Sequence, residues 1–199
     1  MERNGRTSHR IVVTGGPGGG KTTAADLFRR EIGDCLVVVP EAATLLFTGG
    51  FPRTDNEIAT KAVQHAIYHT QMNNERAHAA LYPERTLLCD RGTVDGVAYW
   101  PGTEEDYFQE MGTTLEKEFS YYDAVLFFET AAVGGMSIEG GNPVRNEDQE
   151  KAIELDRKLK TVWSKHHNFT FVPHDTSFMK KINFGLASLE NIVKLLKRG

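Results

Sequence analysis

Cysteine is scarce in this sequence. Only Cys35 and Cys89 occur among its 199 residues, each within an apolar run, and they form no C-x-x-C pair. Two cysteines placed in this way provide neither a disulfide framework nor a set of zinc ligands. We therefore expect both to be small buried side chains of a protein in a reducing compartment, the cytoplasm.

Long hydrophobic runs are also missing. The first apolar run, Ile11-Val12-Val13, is too short for a membrane span or for the apolar region of a signal peptide. We therefore expect no membrane span. We also expect residues 1–9 to form a polar tail ahead of a single domain, 10–199, because this length supports one α/β core rather than two.

The sequence has no excess of positive charge. It carries 23 Lys and Arg against 27 Asp and Glu, which gives a formal net charge of -4 at pH 7. Proteins whose main partner is a nucleic acid usually have a basic excess. We therefore do not expect a nucleic-acid partner.

Short apolar segments alternate with longer helical patterns along the whole chain. The strand candidates are rich in Val, Leu, Ile and Phe and do not alternate with polar residues, which is typical of strands covered on both faces. They are Arg10–Thr14, 35–39, Thr86–Asp90, 124–129 and 169–173. The helix candidates are Lys21–Ile32, Glu57–Leu81, 103–119, 147–166 and 178–197. This alternation predicts an α/β fold, a five-stranded parallel sheet with helices on both faces and ligands at the carboxyl edge.

A complete phosphate-binding motif, G-x-x-x-x-G-K-[ST], follows the first predicted strand. It consists of Gly15, Gly16, Pro17, Gly18, Gly19, Gly20, Lys21 and Thr22, and Thr23 continues into the predicted helix. Glycines let backbone N–H groups approach phosphate oxygens at a helix N-terminus. We predict that this P-loop binds Mg-ATP, with Lys21 on the β- and γ-phosphates and the Thr22 hydroxyl on Mg²⁺. The motif also admits GTP.

Carboxylates follow three other predicted strands. Asp90 ends an apolar strand as a Walker-B carboxylate does, so we predict that it lies beside Mg²⁺; the alternative is a cap for the next turn. Glu129 is the weaker candidate for this role. Glu41 directly follows the second strand, where it could orient or deprotonate an acceptor hydroxyl, or simply begin a helix.

Two arginines complete the predicted catalytic set. Arg91 directly follows Asp90 and is expected to pair with phosphate or with Glu41. Arg145 lies in the second of two glycine-rich segments, 48–53 and 134–146, which we interpret as mobile lids rather than plain surface turns. From such a lid Arg145 could act as an arginine finger on the transferred phosphoryl group.

Polar side chains share one face of the longest predicted helix. Gln64, Tyr68 and Gln71 follow the i, i+4, i+7 spacing and could recognise a base or a ribose. A solvated polar face is the favoured interpretation. Asp95 is expected one turn into the helix that follows Asp90 and Arg91, where it could either bind an acceptor hydroxyl or merely cap.

These motifs resemble those of the nucleoside and nucleotide kinase branch of P-loop proteins. The P-loop, Pro40-Glu41-Ala42 and Asp90-Arg91-Gly92-Thr93-Val94-Asp95 look more closely like the AAA-type, kinase-like ATPase domain of the NadR/Ttd14 type, from residue 10 to about 196. This resemblance implies a five-stranded parallel core, ATP or GTP, and magnesium. Some relatives phosphorylate a small ribosyl acceptor, whereas others bind GTP and phosphoinositides.

The leading hypothesis is therefore a kinase that transfers the γ-phosphoryl group of ATP to a small nucleoside- or ribosyl-like acceptor. In this hypothesis Lys21, Thr22 and Asp90 hold Mg-ATP, Glu41 orients the acceptor, and Arg91 and Arg145 stabilise the moving charge. The alternative is a nucleotide-gated module that hydrolyses slowly and binds a protein or phosphoinositide partner. A third hypothesis is an NTPase with water as its sole acceptor.

Overall fold

The computed structural model describes residues 8–134 and 149–197. Five strands, β1 to β5, alternate with seven helices, α1 to α7, in this part of the chain. The strands are Arg10–Thr14, Leu36–Val39, Thr86–Asp90, Ala124–Phe128 and Phe169–Val172. The helices are Lys21–Ile32, Ala42–Thr48, Glu57–Leu81, Glu104–Glu110, Leu115–Phe119, Gln149–Trp163 and Phe178–Leu196. Most of the predicted tail, residues 1–7, lies outside the described residues.

The five strands form one parallel sheet in the order β2-β3-β1-β4-β5. Strand β1 lies at the centre, with Val13 opposite Asp90 of β3 and Leu126 of β4. Because parallel strands all end at the same edge, the residues that follow β1, β2 and β3 meet there. The predicted fold class is confirmed.

Apolar side chains of the sheet pack into one core on each face. Val12 belongs to the core that includes Trp163 of α6, whereas Ile11 and Val13 belong to the core that includes Phe28 of α1 and Leu189 of α7. Alternate residues of a strand point to opposite faces, so each strand must be apolar throughout when both faces are covered. This explains the continuous apolar runs in the sequence.

The single helix predicted over 103–119 is wrong, because the chain forms two short helices there. Gly112 follows the first of them, α4, and has a φ of +64°. This left-handed conformation readily ends a helix. Thr114 then starts α5 by accepting a hydrogen bond from the N–H of Lys117.

Smaller differences occur at other element boundaries. Cys35 belongs to a 3-10 turn, Gly33–Cys35, rather than to β2. Helix α2 and the 3-10 turn Thr93–Tyr99 were not among the predicted helix ranges, although a helix that begins at Glu41 was one of the two interpretations of that residue and Asp95 was placed one turn into a helix. In the described parts of the chain, no helix has the length and apolarity needed to cross a membrane.

Candidate active site

The predicted P-loop connects β1 to α1 at the carboxyl edge of the sheet. Gly15 adopts a φ of +134°, and a Cβ atom there would lie 1.9 Å from the carbonyl oxygen of Phe128. Gly20 precedes α1 in the left-handed region, with φ of +81°. Side chains at either position would be strained or would clash, so glycine is required to bring this loop against β4.

Three side chains bind carbonyl oxygens of the loop. Lys21 Nζ donates to the carbonyl of Gly16 at 2.6 Å, and Thr130 Oγ1 donates to that of Pro17 at 2.5 Å. Lys181 Nζ of α7 donates to the carbonyl of Gly19 at 2.9 Å. The loop carbonyls are thus bound by protein donors, and the first N–H groups of α1 lack intrahelical partners, as at any helix N-terminus. This arrangement suits an anion.

A carboxylate from α6 also holds the loop. Asp156 Oδ1 accepts hydrogen bonds from the backbone N–H groups of Gly16 at 2.7 Å and Thr130 at 3.0 Å. Burial raises the pKa of Asp156, and the two backbone donors oppose this shift by favouring the ionised form. Asp156 therefore joins the loop to the segment that follows β4.

Lys181 is the second long-range contact of the loop. Besides the carbonyl of Gly19, it binds the carbonyl of Glu129, and its side chain is buried. Burial lowers the pKa of Lys181 to about 8, while attraction to Asp156 and Glu129 acts in the opposite direction. Neither Asp156, Lys181 nor Thr130 was predicted from the sequence, because each is remote from the motif and carries no local signal.

Asp90 lies beside the start of α1, and its predicted position beside Mg²⁺ stays a prediction. Its Oδ2 accepts a hydrogen bond from Thr22 Oγ1 at 2.8 Å. Burial raises the pKa of Asp90, the charge of Glu41 adds to this shift, and Lys21 opposes it. The other oxygen, Oδ1, is buried and has no hydrogen-bond partner among the described residues.

The unpartnered Oδ1 of Asp90 and the Thr22 hydroxyl fit a magnesium ion. Mg²⁺ prefers oxygen ligands and usually binds one or two protein groups together with water and substrate phosphates. Within residues 8–134 and 149–197, no group of three or more His, Cys, Asp or Glu side chains could hold a metal by itself. An ion at Thr22 and Asp90 would thus need the phosphates of a nucleotide as further ligands.

Glu41 and Arg91 form a buried ion pair at the same edge. Arg91 Nε donates to Glu41 Oε1 at 2.5 Å, and Thr44 Oγ1 donates to Glu41 Oε2 at 2.5 Å. Glu41 is also the residue that precedes α2. Of the two predicted partners of Arg91, the structure shows Glu41, and a phosphate contact stays a prediction.

Asp95 fixes the other side of the Arg91 guanidinium. Its Oδ1 accepts from Arg91 Nη1 at 2.8 Å and from Thr14 Oγ1 at 2.6 Å. Its Oδ2 accepts from the N–H of Gly92 and from Trp163 Nε1, each at 3.1 Å. Because both oxygens are engaged by protein donors, Asp95 caps the turn after Gly92 and orients Arg91.

A cavity of about 620 Å³ opens beside the Glu41–Arg91 pair. Side chains from α2, α3, α6, the 3-10 turn Thr93–Tyr99 and the segment 52–55 line it. Its size lies within the usual range for small-molecule sites. The cavity thus provides a volume for a small molecule next to the carboxyl edge of the sheet.

The polar face of α3 lines this cavity and is not solvated, so the favoured sequence interpretation is wrong. Gln64, Tyr68 and Gln71 are all buried. Tyr68 donates to Glu118 Oε1 at 2.8 Å, which explains the burial of its hydroxyl. The reason for the error is that α2 and the 3-10 turn Thr93–Tyr99 pack against α3.

Other predicted residues have structural roles or fall outside the described chain. Glu129 Oε2 accepts from the N–H of His174 at 2.8 Å, in keeping with its weaker standing as a metal ligand. Arg145 and most of the second predicted lid lie in residues 135–148, outside the described residues. In the first predicted lid, the Arg53 guanidinium lies 4.0 Å from the centre of the Phe47 ring, and both residues line the cavity.

Comparisons with known proteins identify the family and the fold. A protein-family model described as an AAA domain matches residues 10–180. Among solved structures, thymidylate kinase from Ehrlichia chaffeensis is similar, with a TM-score of 0.63, 13% sequence identity, and coverage of 94% of this chain and 98% of that chain. No curated protein matches the sequence. At this identity the structural likeness shows the fold alone, a P-loop fold of the nucleotide-kinase kind.

Proposed function

Because the chain belongs to the AAA-domain family and is a P-loop protein of the kinase and NTPase class, we propose that it transfers the γ-phosphoryl group of Mg-ATP to a hydroxyl of a small nucleoside- or ribosyl-like acceptor. The observation that carries this proposal is the 620 Å³ cavity, which shares Glu41 and Arg91 with the edge where the P-loop lies. An NTPase with water as its sole acceptor needs no such cavity.

Lys21, Thr22 and Asp90 form the nucleotide side of the proposed site. The Lys21 ammonium group moves from the carbonyl of Gly16 toward the β- and γ-phosphates, where it offsets their charge. Thr22 and Asp90 hold the magnesium ion, which would supply charge stabilisation for the transferred group when bound. The loop residues other than Pro17, which has no N–H, and Gly16, whose N–H binds Asp156, contribute backbone N–H groups around the phosphates together with Thr23.

Glu41 and Arg91 form the acceptor side. Glu41 accepts a hydrogen bond from the attacking hydroxyl and takes up its proton as the hydroxyl oxygen bonds to the γ-phosphorus and the bond from that phosphorus to the β-phosphate oxygen breaks, which releases ADP. Arg91 and Thr44 fix the carboxylate in one orientation, so little reorganisation is needed. Arg145 stays a prediction as the arginine finger that approaches the phosphoryl group from the other side.

A nucleoside- or ribosyl-like acceptor is supported by the lining of the cavity. Aromatic side chains, among them Phe47, Tyr99 and Trp100, lie together with the carboxylate and the guanidinium. Ligand sites that combine aromatic residues with a few polar groups suit molecules with a planar part and a hydroxylated part. The similarity to a thymidylate kinase agrees with an acceptor of this size.

An acceptor screen tests this function. Nucleosides, nucleoside monophosphates and nicotinamide riboside are each incubated with ATP and Mg²⁺, and ADP formation is coupled to a spectroscopic assay. We expect one of them to raise ADP formation well above the rate with water alone. Glu41→Gln should then lower transfer about a hundredfold or more, with little change in Mg-ATP affinity, because Glu41 lies on the acceptor side.

The control is Glu84→Gln, since Glu84 is an exposed carboxylate remote from the cavity lining. It should leave transfer unchanged. Full transfer activity in Glu41→Gln would remove Glu41 from the mechanism. A wild-type protein that binds Mg-ATP but phosphorylates none of the acceptors, while phosphoinositides or proteins bind in a nucleotide-dependent way, would replace the kinase with the regulatory module.

A further inference from the structure

Four polar residues of α3 line the cavity, and they differ in what their polar groups contact. Thr60 Oγ1 donates to the carbonyl of Thr54. Gln71 Nε2 donates to Glu75 and to the carbonyl of Arg91, and Gln71 Oε1 accepts from the N–H of Ala42. The Tyr68 hydroxyl donates to Glu118. The amide of Gln64 makes no hydrogen bond to any residue that the structure describes, although the residue is only 6% exposed.

The Gln64 amide has no protein partner among the described residues, and its polar atoms are accessible from the cavity rather than fully buried. An occupant of the cavity that displaces water from such groups loses affinity unless it replaces the hydrogen bonds of that water. Since Gln64 faces the cavity, an occupant that offers one acceptor and one donor side by side would satisfy both halves of the amide.

The position of Gln64 along α3 sets the distance between its amide and the end of the cavity where Glu41 and Arg91 lie. Gln71 contacts Ala42 and the carbonyl of Arg91, so it marks the end of the cavity where the Glu41–Arg91 pair lies. Gln64 lies seven residues earlier in the same helix, about 10 Å away along its axis. An occupant with its hydroxyl at Glu41 must therefore be elongated to reach Gln64.

Aromatic and apolar side chains belong to the same cavity lining as Gln64. Val63 and Ile67 are its neighbours in α3, and Trp100 and Tyr107, with ring centres 5.6 Å apart, also line the cavity. Aromatic side chains pack well against planar rings. A sugar or polyol lacks a planar ring and would gain none of this packing.

We propose that Gln64 is the residue that determines acceptor specificity, by pairing with the edge of a planar heterocycle that carries an adjacent hydrogen-bond donor and acceptor. Glutamine makes such bidentate pairs with base edges that present one donor and one acceptor. The proposal rests on the proposed function in one respect, that the cavity is the acceptor site. It defines the acceptor as a nucleoside-like molecule whose ring lies at Gln64 and whose hydroxyl lies at Glu41.

Direct binding without ATP tests this proposal separately from catalysis. Thymidine, cytidine, adenosine, guanosine and nicotinamide riboside are titrated into the protein by calorimetry, with ribose as the probe that lacks a ring. We expect at least one ring-bearing probe to bind, and ribose to show no binding at the concentrations that saturate the protein with that probe. Gln64→Leu should weaken this binding by about 10- to 100-fold.

Two further variants keep the test decisive. Gln64→Glu retains the size of the side chain but removes the NH₂ donor, so it should weaken binding as well, and it carries the test if Gln64→Leu does not fold. Gln109→Leu changes an exposed glutamine outside the cavity lining and should bind the probe as the parent does. Mg-ATP affinity should be unchanged in all three variants.

The outcomes separate the two proposals. Probe binding that depends on Gln64 without any phosphoryl transfer supports the heterocycle site and refutes the kinase. Transfer that continues with unchanged KM in Gln64→Leu supports the kinase and refutes the role of Gln64. Equal binding of ribose and the nucleosides, or no binding of any ring-bearing probe, also refutes the proposed role of Gln64.

Discussion

Replacing Asp156 tests whether the P-loop depends on side chains far away in sequence. Two substitutions separate the two properties of this residue, its oxygen acceptor and its charge. Asp156→Ala removes both, whereas Asp156→Asn retains an oxygen that can still accept from the N–H groups of Gly16 and Thr130. Both backbone donors are buried, at 2.7 and 3.0 Å from Asp156 Oδ1.

The expected magnitudes follow from these contacts. In Asp156→Ala, two buried N–H groups lose their acceptor, and each unsatisfied group costs about 1–3 kcal/mol. Burial raises the pKa of Asp156, which means that the folded state disfavours its charge, so removing that charge offsets part of the loss. We expect Asp156→Ala to lower the free energy of unfolding by about 2–4 kcal/mol, and Asp156→Asn to change it by less than about 1 kcal/mol.

The same reasoning extends to nucleotide affinity. Without Asp156 the loop is no longer fixed before the phosphates arrive, and ordering even one residue costs about 1–2 kcal/mol. The Kd for Mg-ATP of Asp156→Ala should therefore rise about tenfold. Urea denaturation and calorimetry on one preparation of each variant measure both effects. Equal losses of stability in Asp156→Ala and Asp156→Asn would show that the charge matters rather than the acceptor, and the reasoning would fail.

Three further predictions concern other parts of the site and fold. Lys21→Ala should lower turnover by about a hundred- to a thousandfold and weaken Mg-ATP binding; unchanged values of both would refute the nucleotide site. Asp90→Asn should raise the Mg²⁺ concentration needed for half-maximal activity while leaving metal-free nucleotide affinity nearly unchanged, whereas an identical magnesium midpoint would make Asp90 structural. Burial lowers the pKa of His166, whose Nδ1 accepts from the N–H of Asn168. The unfolded chain therefore binds a proton first, and stability should fall as pH decreases below about 6.5, a slope that His166→Gln should lose in urea denaturation at several pH values.

The elements that depend on local sequence were predicted well. β1, α1, α3 and β3 begin and end at the predicted residues. Their bounds depend on local features, namely continuous apolar runs and the glycine-rich motif that ends in lysine, each of which spans only a few residues. The proximity of Thr22 and Asp90 also follows from local information, because β1 and β3 are neighbours and their carboxyl ends must meet.

The parts that depend on remote contacts were not predictable. Asp156 lies 140 positions from Gly16 and Lys181 lies 162 positions from Gly19. In the sequence each is one charged residue of an amphipathic helix, and nothing in its neighbourhood distinguishes it from a solvated charge. Gln64 is likewise a buried residue of α3, against which α2 and the 3-10 turn Thr93–Tyr99 pack. The helical periodicity of α3 does not reveal these contacts.

The three long-range contacts of the P-loop have a consequence for the order in which the protein becomes functional during synthesis. The loop is synthesised before Thr130, Asp156 and Lys181, which bind it and are added more than a hundred residues later. A nascent chain that ends before α7 has the complete motif but lacks Lys181, one of the side chains that hold the loop. We therefore expect full nucleotide affinity only after α7 has been made, so that ATP stabilises chains that include α7 more than shorter ones.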